Sequence, residues 1–189
     1  MAKRILLTSF EIWLSDQQSN SADDLLLEVL KVDSLPHDLK FLRRLPVDVH
    51  LASSQVIQKI SELQPHYIIC CGMAASRTKL SLEAVASCGK SVLSPVVELE
   101  KLVTGATAID ISYDCGKFVC VRVASRREGL YYAVLNYLCQ NQLATPCIFV
   151  HVPVLNSENL PGILADFLLI INNLALSSSH QRLYGEAFF

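Results

Sequence analysis

Short, nearly unbroken apolar runs recur along this chain, separated by segments whose apolar residues fall at helical spacing, and this alternation leaves few folds open to it. The runs are RILLT at 4–8, FLRRLPV at 41–47, YIICC at 67–71 and IFVHV at 148–152. Each is too short for an ordinary helix and has the composition of a buried strand. Between them, Val49, Ala52, Val56, Ile60 and Leu63 recur on one helix face, and Pro65 supplies the stop. A further helix is expected after a Ser21 cap, with Asp23 and Asp24 in its first turn. Others are expected over 128–139 and from a Ser157 cap to about Leu176. Strands joined by connections long enough for helical crossovers predict α/β layers around a mainly parallel sheet.

Two weaker β signals complete the pattern. Residues 80–86 (LSLEAVA) alternate, which places Ser81, Glu83 and Val85 on one face and Leu80, Leu82 and Ala84 on the other. Residues 107–112 (TAIDIS) are closed by the turn-former Asp114-Cys115-Gly116. With 189 residues and 51% hydrophobic content, the chain suits one domain with a full core. That domain is expected over 1–176, and 177–189, which begins with a Ser run, as a loosely held tail.

A net charge of −2, with only small, isolated basic groups such as Arg43-Arg44 and Arg126-Arg127, gives no footprint for nucleic acid or an anionic membrane. The opening MAKRILLTSF has a charged head but lacks the apolar core and cleavage site of a signal peptide. The most apolar stretch, 163–176, is interrupted by Asp166, Asn172 and Asn173 and is shorter than the roughly 18 residues a membrane span needs. A cytoplasmic location is therefore expected. Seven cysteines, an odd number without a secretory signal, argue against a disulfide framework. No C-x-x-C occurs and the histidines are scattered, so neither a metal nor a cofactor is expected. Most of the thiols should serve as small core hydrophobes.

Three residues can carry chemistry. Cys120, in DCGKFVC, follows a glycine turn at a candidate helix start, where the helix dipole favours thiolate. A buried structural cysteine fits the same spacing. His151 sits near the C-terminal end of an apolar strand, where open α/β sheets place general bases. A hydrogen-bonded core histidine is the alternative. Glu83 is the odd carboxylate in an apolar strand and needs a partner, which an imidazole or an ion pair would supply. From the residues alone, a Cys/His/Glu hydrolase is one reading among these.

Five ordered segments resemble the pyroglutamyl peptidase I (pyrrolidone carboxylate peptidase) family. LLTSFE is similar to its opening strand and T-G-F-E-P-F-G loop, and RRLPV to its second-strand L-P-V. CGMAASRTKLSLEAVA follows its G-x-A-G-G-R…E-R-x-A segment, SYDCGKFVC its S-N-x-A-G-x-Y-L-C, and FVHVPVL its F-I-H-V-P-Y-L. The resemblance implies a three-layer α/β/α sandwich around a mainly parallel, mixed sheet of the phosphorylase/hydrolase-like kind. It also implies a Cys120–His151–Glu83 triad and a small peptide substrate with a blocked N-terminus. Phe10, Trp13, Met73, Arg77 and Phe118 fall at positions implied to contact substrate, with Arg77 also a candidate for holding the oxyanion. Self-association into a homo-oligomer is implied as well.

The chain departs from the family pattern at Ser9, at Ile12-Trp13-Leu14, at Ala75-Ser76 and at Met73, and its stretch between Glu83 and Cys120 is short. Seven residues, 121–127 (VRVASRR), stand between Cys120 and EGLYYAVLNYL. A second alignment begins that helix at Leu130 and puts Tyr131 at the nucleophile position. The rival expectation is then a catalytically impaired relative that keeps the fold for binding or assembly.

Overall fold

The computed structural model describes residues 2–12, 17–33, 35–113 and 129–177. Its centre is a six-stranded sheet formed by β1 (Arg4–Phe10), β2 (Asp38–Leu45), β3 (Tyr67–Met73), β4 (Leu80–Glu83), β7 (Ile109–Ser112) and β8 (Cys147–Val152). The spatial order is β2-β1-β3-β8-β4-β7. Neighbours run parallel except where β4 meets β8, so the sheet is mixed.

Side-chain alternation sorts the core into two layers. Ile5, Leu7, Ile69, Cys71, Leu82, Val150 and Val152 face α1 (Ser21–Leu30), the short α3 (Leu99–Leu102) and α5 (Leu160–Leu176). Leu6, Ile68, Cys70, Cys147 and Phe149 face α2 (Val49–Leu63), α4 (Leu130–Gln140) and a two-stranded ribbon of β5 (Ala86–Cys88) and β6 (Ser91–Leu93). The architecture is the three-layer α/β/α sandwich. Among the described residues, no helix is long and apolar enough to cross a membrane.

Several boundaries differ from the sequence reading, each for a local reason. Asn20, not Ser21, caps α1: its side chain accepts from Ala22 N at 3.0 Å, and Ser21 is already helical. The second strand begins at Asp38, where it pairs with Arg4, and ends at Leu45 before Pro46, which has no N–H to continue the ladder. Residues 80–86 are not one strand. The chain leaves the sheet after Glu83 and re-forms as the β5–β6 hairpin, turned by Gly89 at φ 62°, so Val85 lies past the strand's end. The strand expected from Thr107 begins at Ile109, because Asp166 takes the Thr107 and Ala108 N–H groups. The fourth helix runs Leu130–Gln140 rather than 128–139. Ser157 does not cap α5. Asn156 accepts from Glu158 N and Asn159 N at 2.9 Å each, forming a turn, and the helix starts at Leu160 with Pro161 in its first turn. The expected tail is outside the described residues from 178 onward.

Where β1 leaves the sheet, Ser9 closes a buried polar cluster. Arg43 Nε and Nη2 donate to the two Asp23 oxygens at 2.8 Å each, and Ser9 Oγ donates to Asp23 Oδ1 at 2.6 Å. Burial opposes ionisation of Asp23, but the hydrogen bonds from Arg43 and Ser9 outweigh it and hold the carboxyl below its ordinary value of 3.8. The stabilisation is therefore complete above pH 3.8 and fades as pH falls through the lower folded value. Arg43→Met is expected to cost about 2 kcal/mol at neutral pH by urea unfolding. The gap between variant and parent should close in acid.

Candidate active site

Glu83 and His151 come from the two strands that meet in antiparallel register. Ser81 pairs with His151 and Leu82 with Val150, so Ser81, Glu83 and His151 share the face covered by α4. His151 Nδ1 and Glu83 Oε1 are 2.6 Å apart, with both side chains almost fully buried. A carboxylate only accepts, so Nδ1 carries the proton and Nε2 is the basic nitrogen. The imidazole stands edge-on to Phe149, with centroids 5.0 Å apart and planes at 62°. Gly72, opposite His151 in the β3–β8 ladder, makes room for this pair: a Cβ there would lie 2.8 Å from Phe149 Cζ.

Arg77 completes the group. It sits in the β3–β4 turn, held by its N–H to Ala74 O at 3.0 Å, while Ala74 N donates to Val152 O at 2.8 Å. Its Nη2 lies 2.9 Å from Glu83 Oε1, and its guanidinium also bonds Ser81 Oγ and, at 3.4 Å, Ser112 Oγ. One carboxylate oxygen therefore serves both the imidazole and the guanidinium. Glu83 Oε2 is buried without a hydrogen-bond partner among the described residues. A carboxylate this deep costs several kcal/mol to desolvate, and the two cation-capable neighbours are what offset it. Arg77 thus faces Glu83 across one carboxylate oxygen.

The described residues on either side of the sequence that contains Cys120 lie beside Glu83. Before it, Ser112 pairs with Glu83 in the β4–β7 ladder and Ser112 O accepts from Ala84 N at 2.8 Å. After it, Gly129 and Tyr131 border a small cavity with Glu83, and the Tyr131 hydroxyl donates to Glu83 O at 3.4 Å. The first turn of α4 has no side-chain cap among the described residues. Tyr131 is buried against Phe149, with ring centroids 5.6 Å apart, as a core residue of this corner.

Of the other expected site residues, the structure describes Phe10 and Met73. Phe10 ends β1 paired with Leu45 and packs on the α2/α4 side of the sheet. Met73 ends β3 and lines a cleft next to α1. Cys120, Phe118 and Trp13 lie outside the described residues. The sequence reading missed Gly72 and Ser112, and it noted Ser81 only as a face-mate of Glu83. That shared face, two residues apart, was the available signal for Ser81. Among the described residues, no three His, Cys, Asp or Glu side chains cluster closely enough to hold a metal ion.

No family model matches the chain. It is 27% identical over 184 residues to the pyrrolidone-carboxylate peptidase of Pseudomonas fluorescens, covering 82% of this chain and 80% of that protein. With the pyrrolidone-carboxylate peptidase of Bacillus thuringiensis it shares 26% over 148 residues, 64% of this chain. That match spans 66% of the Bacillus protein, just under two thirds of its length. Among solved structures, the pyroglutamyl peptidase I of Bacillus amyloliquefaciens superposes with a TM-score of 0.77 at 17% identity, over 94% of this chain and 97% of that one. The pyrrolidone carboxyl peptidase of Thermococcus litoralis gives 0.69 at 17% identity, over 92% and 93%. At such identities the structural likeness establishes the shared fold.

Proposed function

We propose that this divergent relative of the pyroglutamyl peptidase I proteins is a cysteine peptidase that removes a blocked, pyroglutamyl-type residue from peptide N-termini, using Cys120, His151 and Glu83. The observation that carries this reading is the buried 2.6 Å contact between His151 Nδ1 and Glu83 Oε1, at the edge where the Cys120 segment departs and returns. Cys120 follows Tyr113 by seven residues. A spacer of that length, spanning up to roughly 3.3–3.6 Å per residue when extended, supports the reading that the thiol can approach the imidazole.

In this mechanism His151 Nε2 takes the proton from Cys120 Sγ, and Glu83 steadies the imidazolium. The thiolate adds to the carbonyl carbon of the blocked residue. The tetrahedral species then collapses, breaking the C–N bond, and His151 returns its proton to the departing amine. Water, deprotonated by His151, hydrolyses the acyl-enzyme and regenerates the thiol. The first turn of α4 offers N–H groups and a positive dipole end to the developing oxyanion.

Thiol chemistry tests the reading. Burial pushes the Cys71 and Cys147 thiols well above their ordinary value, which makes them poor nucleophiles. Iodoacetamide is expected to label Cys120 fastest of the seven cysteines. Cys120→Ser should abolish turnover of a pyroglutamyl-coumarin substrate. Uniformly slow labelling with no turnover by the parent would overturn the peptidase reading and favour a binding role for the fold.

A further inference from the structure

We infer that Arg77 is a positioning residue of this site, which holds the Glu83 carboxylate at the angle that orients His151 and does so without touching substrate. Its role in turnover rests on the peptidase reading. A carboxylate turns about a soft, two-fold torsion at the end of its side chain. Glu83 is held at one oxygen: His151 Nδ1 stands 2.6 Å from Oε1, while Oε2 is buried with no hydrogen-bond partner among the described residues. One contact fixes a distance and leaves the carboxylate plane free to rock. The second contact on Oε1, from Arg77 Nη2 at 2.9 Å, removes that freedom.

The guanidinium is itself braced at both ends. Its Nη1 donates to Ser81 Oγ and its Nη2 also reaches Ser112 Oγ at 3.4 Å, so its head bridges β4 and the neighbouring β7. At the backbone, Arg77 N donates to Ala74 O at 3.0 Å, and Ala74 N donates to Val152 O at 2.8 Å, the residue after His151. Arg77 is thus a strut from the end of β8 to the carboxylate on β4, and it sets the separation of the two residues that share the buried hydrogen bond. A planar fork suits this task. A lysine ammonium can meet one of these acceptors but cannot hold Ser81 and Glu83 in one fixed geometry. Both terminal nitrogens are engaged by protein acceptors, and the side chain is 26% exposed, which argues against a substrate contact.

Turnover of pyroglutamyl-coumarin separates a strut from a substrate contact. Arg77→Met is expected to lower kcat about 10²-fold, the effect of a misplacement of about 1 Å, with KM changed by less than about twofold. Because Arg77 acts through Glu83, its loss should add less than about twofold to the Glu83→Gln variant. An unchanged kcat, with or without a raised KM, or losses that multiply in the double variant, would overturn the assignment. A second readout needs no turnover. The His151 Nδ1 proton, in a short bond to a carboxylate, is expected far downfield of the amide protons in the ¹H spectrum of the parent. Arg77→Met should lose it to solvent exchange while the amide spectrum stays that of a folded protein. Its absence from the parent, or its retention in the variant, would overturn the assignment. Should Arg77→Met fail to fold, Arg77→Lys carries the test, with kcat about tenfold lower at unchanged KM and the same lost resonance. A lysine variant equal to the parent in both would sink the strut. If the parent turns over no substrate, the peptidase reading falls and the resonance alone decides on Arg77. If turnover is present and both readouts survive the substitutions, the assignment of Arg77 falls alone.

Discussion

Glu83→Gln is expected to lower kcat for a pyroglutamyl-coumarin substrate by about 10³–10⁴-fold while leaving KM and the melting temperature nearly unchanged. The substitution is nearly isosteric. A glutamine carbonyl oxygen at the Oε1 position can still accept from His151 Nδ1 and Arg77 Nη2, which now contact Oε1 at 2.6 and 2.9 Å. The amide nitrogen then takes the place of Oε2, which has no hydrogen-bond partner among the described residues to oppose it. What disappears is the negative charge behind the ring. When His151 accepts the thiol proton, the new imidazolium sits buried beside a guanidinium with no anion between them, and the transition state rises accordingly. Glu83→Ala is the less informative variant, because it strands Arg77 and confounds chemistry with folding. A loss below about tenfold in kcat for Glu83→Gln would demote Glu83 to a structural partner of Arg77.

How far the sequence foretold this molecule depends on the range over which each signal acts. Helix α2 was legible because its apolar positions repeat at helical spacing and Pro65 stops it locally, whereas its Asp48 cap emerged only with the structure. Strands β1, β3 and β8 were legible as buried runs, since strands covered on both faces need near-continuous apolar sequence. The β5–β6 ribbon was not. Its strands are three residues each, and the alternation from Leu80 ran through the point where the chain leaves the sheet. Nothing within a short window marks that exit, which is set by pairing with Ser112, 29 residues beyond Glu83. At the site, Glu83 and His151 stood out as polar residues in apolar strands, but their juxtaposition follows from β4 running against β8. Arg77 was picked out by resemblance. Its partner could be read only once the turn after β3 had folded it back over Ser81 and Glu83.

Asp166 shows the same limit, and its replacement should carry a large stability effect for a single polar residue. In the sequence it is merely a charge interrupting an apolar stretch. In the structure it is 5% exposed and collects the hydrogen bonds of a whole turn. Its oxygens accept from Thr107 N and Ala108 N at 3.0 Å each, and from Thr107 Oγ1 at 3.1 and 3.3 Å. This ties α5 to the start of β7, the strand whose Ser112 pairs with Glu83. Asp166→Ala removes every one of these acceptors and leaves two backbone N–H groups to find water at a crowded edge. The expected cost is about 3 kcal/mol by urea unfolding, or a fall of roughly 6–12 °C in Tm for a chain of this size. Asp166→Asn keeps one acceptor oxygen and should lose about half as much. A cost under about 1 kcal/mol for the alanine variant would mean that solvent replaces the carboxylate freely, and that β7 is held by its ladder with β4 alone.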